Sequence, residues 1–126
     1  MAKGDDLLER LIRFGVAALQ LGNELPKTPA GRHMADQLMR SATAGAPNYA
    51  EARSGESIRD FIHKLGIVRK ELNESLVWLR MLNEAGMGET EQLQTLVGEC
   101  DELCRIISAS KKTAEARVRR ERIEAR

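Results

Sequence analysis

Two histidines, two cysteines and nineteen acidic residues are the side chains of this 126-residue chain best suited to hold a metal or move a proton. Their spacing favours neither task. A di-metal site in a helical bundle needs Glu-x-x-His on two helices and one more Glu from each of the others. The chain has no Glu-x-x-His, and the nearest approach, Asp60 to His63, occurs once. His33 reads as lying near a loop, and His63 stands beside Lys64. Cys100 and Cys104 lie four apart. One helix would face them the same way while holding its backbone too rigid for an easy bridge, and no second pair completes a zinc tetrahedron. Both read as core residues with free thiols, as in a cytoplasmic protein. No nucleophile motif, phosphate loop or dinucleotide fingerprint is present. The expectation is a protein that is not an enzyme, with no catalytic residue, no metal and no cofactor.

Charge is the next candidate. Twenty basic and nineteen acidic residues leave a formal charge of +1, which gives no global attraction to nucleic acid or membrane. The balance is uneven at one end. Lys111, Lys112, Arg117, Arg119, Arg120, Arg122 and Arg126 face only Glu115, Glu121 and Glu124 over residues 111–126. Such a stretch can neutralise phosphates, and repetition in an oligomer would multiply its effect. It also fits a solvated helix end whose positive charges suit the C-terminal dipole. Both readings stay open. No aromatics are interleaved, which argues against base stacking.

The elements that must position these groups are helices. At 42% hydrophobic and 31% charged, the composition is that of a globular domain, and with 3% aromatics its core must be aliphatic. A first helix runs from about residue 5 to 23 on Leu8, Leu11, Gly15, Ala18 and Gly22, capped by Asp5 or Asp6 and stopped by Pro26 and Pro29. A second runs from about 31 to 53 on Met34, Leu38, Ala42, Gly45, Tyr49 and Ala52. Pro47 lies inside it, so one bent helix is expected, kinked near Thr43. A third, from about 56 to 84, is capped by Ser57 or Ser54. It carries Ile58, Phe61, Leu65, Val68, Leu72, Ser75, Leu79 and Leu82 at alternating steps of three and four, the seam of a left-handed bundle. Gly86 and Gly88 end it. A fourth starts near Thr90 on Leu93, Leu96, Val97, Cys100, Leu103, Cys104 and Ile107, and can continue through Ala114 and Val118. Short connections make these antiparallel neighbours. The fold class is therefore all-α, an up-down-up-down four-helix bundle with a kinked second helix. Its bundle covers residues 1–116, and 117–126 form a basic helical extension or frayed tail. No run is long and apolar enough to span a bilayer, and no signal peptide is expected, because Asp5, Asp6, Glu9 and Arg10 interrupt the N-terminal apolar runs.

Two further groups stand out. Arg40, Asn48 and Glu51 lie on the helix whose residues 41–46 are all small. We read them as a polar network locking the kinked helix to its neighbours, with a ligand contact as the alternative. On the third helix, Ile67, Val77, Trp78 and Met81 fall roughly opposite the seam. They suit an oligomer interface, where Trp and Met are enriched, although Trp78 and Met81 could also wrap into a broad core.

The segment from Gln37 to Leu82 is more specific: Gln-Leu-Met-Arg-Ser at 37–41, Asn-Tyr-Ala-Glu-Ala at 48–52, Asp-Phe-Ile-His-Lys-Leu-Gly-Ile-Val at 60–68, then Lys-Glu-Leu and Trp-Leu. It resembles the bacterial four-helix-bundle family first noticed as open reading frames in intervening sequences of large-subunit ribosomal RNA genes. That family is related to the accessory variability-determinant proteins of diversity-generating retroelements. Arg40, Asn48, Glu51 and Phe61 match family positions, while Ala44-Gly45-Ala46-Pro47 displaces the family's proline by one. The resemblance implies a ring-like homopentamer, and partners among RNA, DNA and a reverse transcriptase. The expected function is thus a homo-oligomeric, cytoplasmic nucleic-acid-binding or reverse-transcriptase accessory protein acting through Lys111, Lys112, Arg117, Arg119, Arg120 and Arg122. The alternative is a scaffold that touches only protein.

Overall fold

The computed structural model describes residues 3–126. It contains α1 (Lys3–Glu24), α2 (Pro29–Ala42), α3 (Gly45–Arg53), α4 (Ile58–Ala85) and α5 (Thr90–Glu124). α2 and α3 are the two halves of one bent rod, so four rods make the expected antiparallel bundle. α1 packs on α2, α3 and α5, and α4 on α2, α3 and α5, which leaves α1 and α4 on a diagonal.

The bend follows from Pro47, which has no N–H to donate. α2 stops at Ala42, and a tight turn through Thr43 and Ala44 places Pro47 in the first turn of α3, where no intrahelical donor is needed. The freed groups are satisfied locally. The Ala44 N–H donates to the Ser41 carbonyl at 3.3 Å, and the Thr43 hydroxyl donates to the Met39 carbonyl at 2.6 Å. The Asn48 side-chain amide donates to the Ala44 carbonyl at 2.9 Å. Small residues let α1 close on the bend: a Cβ added at Gly15 would sit 3.4 Å from the Ala42 carbonyl oxygen.

Two helix starts differ from the sequence expectation. α1 already includes Lys3, so Asp5 and Asp6 lie inside its first turn instead of capping it. They still complement the helix dipole there, and Asp5 accepts from Arg53 of α3 at 2.7 Å. Pro29 opens α2 where a stop was expected. Its fixed φ suits the first helical position, and Thr28 caps that turn by accepting the Gly31 N–H at 3.1 Å. Ser57 caps α4, and Gly86 ends it in the left-handed region at φ 70°.

The core is aliphatic. From α4 it takes Leu65, Val68, Leu72, Leu79 and Leu82, all at 1% exposure or less, facing Leu93, Leu96, Cys100, Leu103 and Ile107 of α5 and Leu7, Leu11, Phe14, Ala18 and Leu21 of α1. The one polar seam position, Ser75, is buried with Oγ 2.8 Å from Ser41 Oγ and 2.9 Å from the Glu71 carbonyl. α5 is 35 residues against 28 for α4. At 1.5 Å per residue it is about 10 Å longer, so its last turns project beyond the start of α4. The helix runs without a break through residue 117 to Glu124.

Candidate nucleic-acid interface

The outward face of α4 changes character along its length. In its first half, Arg59, His63 and Lys70 follow one another at steps of four and seven, spacings that keep them on one side of a helix. Ile62, Gly66 and Ile67 lie between them. On α5, Lys111, Glu115, Val118 and Arg119 share a face by the same rule. Antiparallel packing brings the two faces together as the walls of an open groove of about 670 Å³. Lys111 lies across Gly66, where an added Cβ would touch its Cε at 3.5 Å. The rim therefore carries Arg59, Lys70, Lys111 and Arg119 with the His63 ring, and Ile62, Ile67 and Val118 supply apolar lining.

The groove is electrostatically lopsided. Its only carboxylate is Glu115, which takes Lys111 Nζ at 3.0 Å. Arg59, Lys70 and Arg119 have no ion-pair partner among the described residues. Three unneutralised cations above a partly apolar lining are chemistry suited to an anion that also carries non-polar surface.

Of the six basic residues singled out in sequence, the groove takes Lys111 and Arg119. Lys112 and Arg122 are exposed outside the groove lining. Arg117 and Arg120 lie over a second, mainly apolar hollow formed with Leu7, Tyr49 and Phe61, and Arg117 pairs with Glu121 at 3.0 Å. Arg59, His63 and Lys70 were missed because they lie more than forty residues from Lys111. Their common helical face was the available signal.

Arg40, Asn48 and Glu51 each find a partner, but no hydrogen bond or ion pair among the described residues joins one to another. Arg40 reaches Glu71 at 3.3 Å and Glu74. Asn48 braces the bend, and Glu51 meets Lys64 at 3.5 Å. The four residues of the presumed interface also part company. Ile67 lines the groove, whereas Val77 and Met81 are exposed at 48% and 47%. Trp78 is half-buried against its own core, edge-on to His33 at 6.2 Å between ring centroids, and its buried indole N–H has no hydrogen-bond partner among the described residues. A second apolar strip went unread: Ile12, Val16 and Leu19 of α1, exposed at 40–45% and spaced i, i+4, i+7. They border a shallow dent against Thr43 and Ala46.

Other chemistry is sparse among the described residues. No three of His, Cys, Asp and Glu gather closely enough to hold a metal ion, and no helix is long and apolar enough to cross a membrane. Both thiols are free. Cys100 lies 3.1 Å from the Leu72 carbonyl, and the neighbouring Cys104 together with burial pushes its thiol pKa upward, away from reactivity.

A bent-rod, up-and-down bundle with no strand among the described residues belongs to the class of small all-helical bundle proteins. Within that class the chain is a member of the 23S rRNA-intervening sequence protein family, whose model matches residues 6–109. It is similar to the crystal structure of a protein of unknown function from the S23 ribosomal protein family of Bacteroides thetaiotaomicron VPI-5482. That match has a TM-score of 0.81 and 28% identity, and covers 88% of this chain and 99% of the other. Among curated proteins none matches significantly.

Proposed function

We propose that this chain is a non-enzymatic, homo-oligomeric bundle protein that binds nucleic acid through the α4/α5 groove. The observation that carries the reading is the set of unpaired cations, Arg59, Lys70 and Arg119, drawn together from two helices. Proteins hold phosphates this way, by releasing the polymer's counterions, and the mechanism is sequence-tolerant. Membership of a family named for intervening sequences in 23S rRNA makes RNA the first polymer to test. The relation expected between that family and the accessory variability-determinant proteins of retroelements is the ground for proposing a reverse transcriptase as a protein partner.

Self-association draws support from two unlike apolar patches. Ile12, Val16 and Leu19 lie on α1, while Val77 and Met81 lie on α4 across the bundle diagonal. Unlike surfaces on two different helices suit a head-to-tail contact, which closes into a ring when its rotation permits. The same patches favour a second reading, an assembly subunit that touches only protein.

Titrating fluorescein-labelled RNA at two salt concentrations separates the readings. A phosphate binder making three groove contacts should show a log K against log salt slope of about −2 on a single strand. No binding at about 50 mM salt removes the nucleic-acid reading and leaves the scaffold.

A further inference from the structure

We propose that the α4/α5 groove takes a single strand in preference to a duplex, with a base or sugar laid on its apolar lining. The proposal rests on the nucleic-acid reading and specifies which form of the polymer fits. Ile62, Ile67 and Val118 are half-buried in the groove, enclosed by the cations Arg59, Lys70, Lys111 and Arg119. Phosphates satisfy the cations but leave the apolar residues wet. A duplex presents phosphates and sugars on its outside and hides its base faces in the stack, so it can meet the rim alone. A single strand can turn an unstacked base inward while its flanking phosphates stay on the rim.

Size and shape agree. From Arg59 to Lys70 the α4 wall runs eleven residues, about 16 Å at the helical rise, enough for a few nucleotides in file. A volume of about 670 Å³ is within the range of small-ligand clefts, and too small to enclose a double helix. Gly66 keeps the middle open, because its only close neighbour is the Lys111 stem. The His63 ring, exposed at the rim, is the one aromatic group in the groove, and histidine is among the side chains on which splayed bases stack. The basic stretch of α5 lacks interleaved rings; the fold supplies one from α4.

Gly66→Leu tests this without removing a charge. The position faces the groove and not the core, and leucine is the better helix former, so the variant should fold. Circular dichroism checks that it does. The probes are a fluorescein-labelled oligouridylate of about 12 nucleotides, within the usual site size of single-strand binders, and an RNA duplex of the same length. Fluorescence anisotropy at low salt should show the wild-type protein binding the single strand at least ~10-fold more tightly, the order of one lost base contact. Gly66→Leu should erase that preference by weakening the single strand, with the salt slope near its wild-type value because no charge is removed. Equal binding of strand and duplex by the wild type, or a preference that survives Gly66→Leu, overturns the inference while phosphate binding stands. Binding of neither probe removes the nucleic-acid reading itself.

Discussion

α4 carries charge on both flanks and treats it differently on each. On the flank that meets α2, Arg40 is held by Glu71 and Glu74, and Ser75 sits within hydrogen-bond reach of Ser41 and the Glu71 carbonyl. On the flank that meets the C-terminal part of α5, Arg59, Lys70 and Arg119 stand without carboxylates. The first arrangement is a lock: partners are satisfied inside the molecule and the small residues of the bend allow close approach. The second leaves Arg59, Lys70 and Arg119 facing outward with no ion-pair partner among the described residues. On the two flanks of one helix, then, a polar residue's pairing says more about its role than its identity. The conspicuous Arg40 belongs to the lock, and the less conspicuous Arg59 belongs to the groove.

Substitutions on the two flanks should therefore separate stability from binding. The largest effect is expected from the core beneath both flanks, at Leu72, which is 1% exposed. Leu72→Ala should cost about 3 kcal/mol through lost burial and a residual cavity, lowering Tm by on the order of 10 °C in a thermal melt, while RNA affinity well below that melt stays unchanged. A much smaller effect is expected at Arg40, half of whose side chain is in water. Arg40→Ala should cost less than about 1 kcal/mol in a denaturant titration and leave RNA affinity alone. If Arg40→Ala weakened RNA binding as much as Arg59→Ala, the distinction between the flanks would collapse.

Most of the scaffold was legible in the sequence, because a seam such as Leu65, Val68, Leu72, Ser75, Leu79 and Leu82 fixes both helical period and buried face. The bend was legible too, since Pro47 forbids a regular helix there. Helix starts were less so: Pro29 can end one helix or begin the next, and only the Thr28 cap decides. The groove was half legible. Local charge counting finds Lys111 and Arg119, but it cannot tell them from Arg117 and Arg120 on the same stretch, nor couple them to Arg59 and Lys70 on another helix. That coupling depends on the offset between α4 and α5, a property of packing. Trp78 shows the complementary limit, because a residue near the edge of a helical face can turn toward either neighbour, and here it turns to His33.

The most direct test removes two charges from each side of α5 in turn. Arg59→Ala with Arg119→Ala empties the groove rim, whereas Arg117→Ala with Arg120→Ala takes the same charge from the opposite side. In salt-dependent anisotropy titrations with single-stranded RNA, the groove pair should lose ~10-fold or more in affinity at low salt, and the log–log slope should flatten by about 1.4. The other pair should stay near wild type. Equal losses from both pairs would contradict the groove and leave only a diffuse effect of net charge.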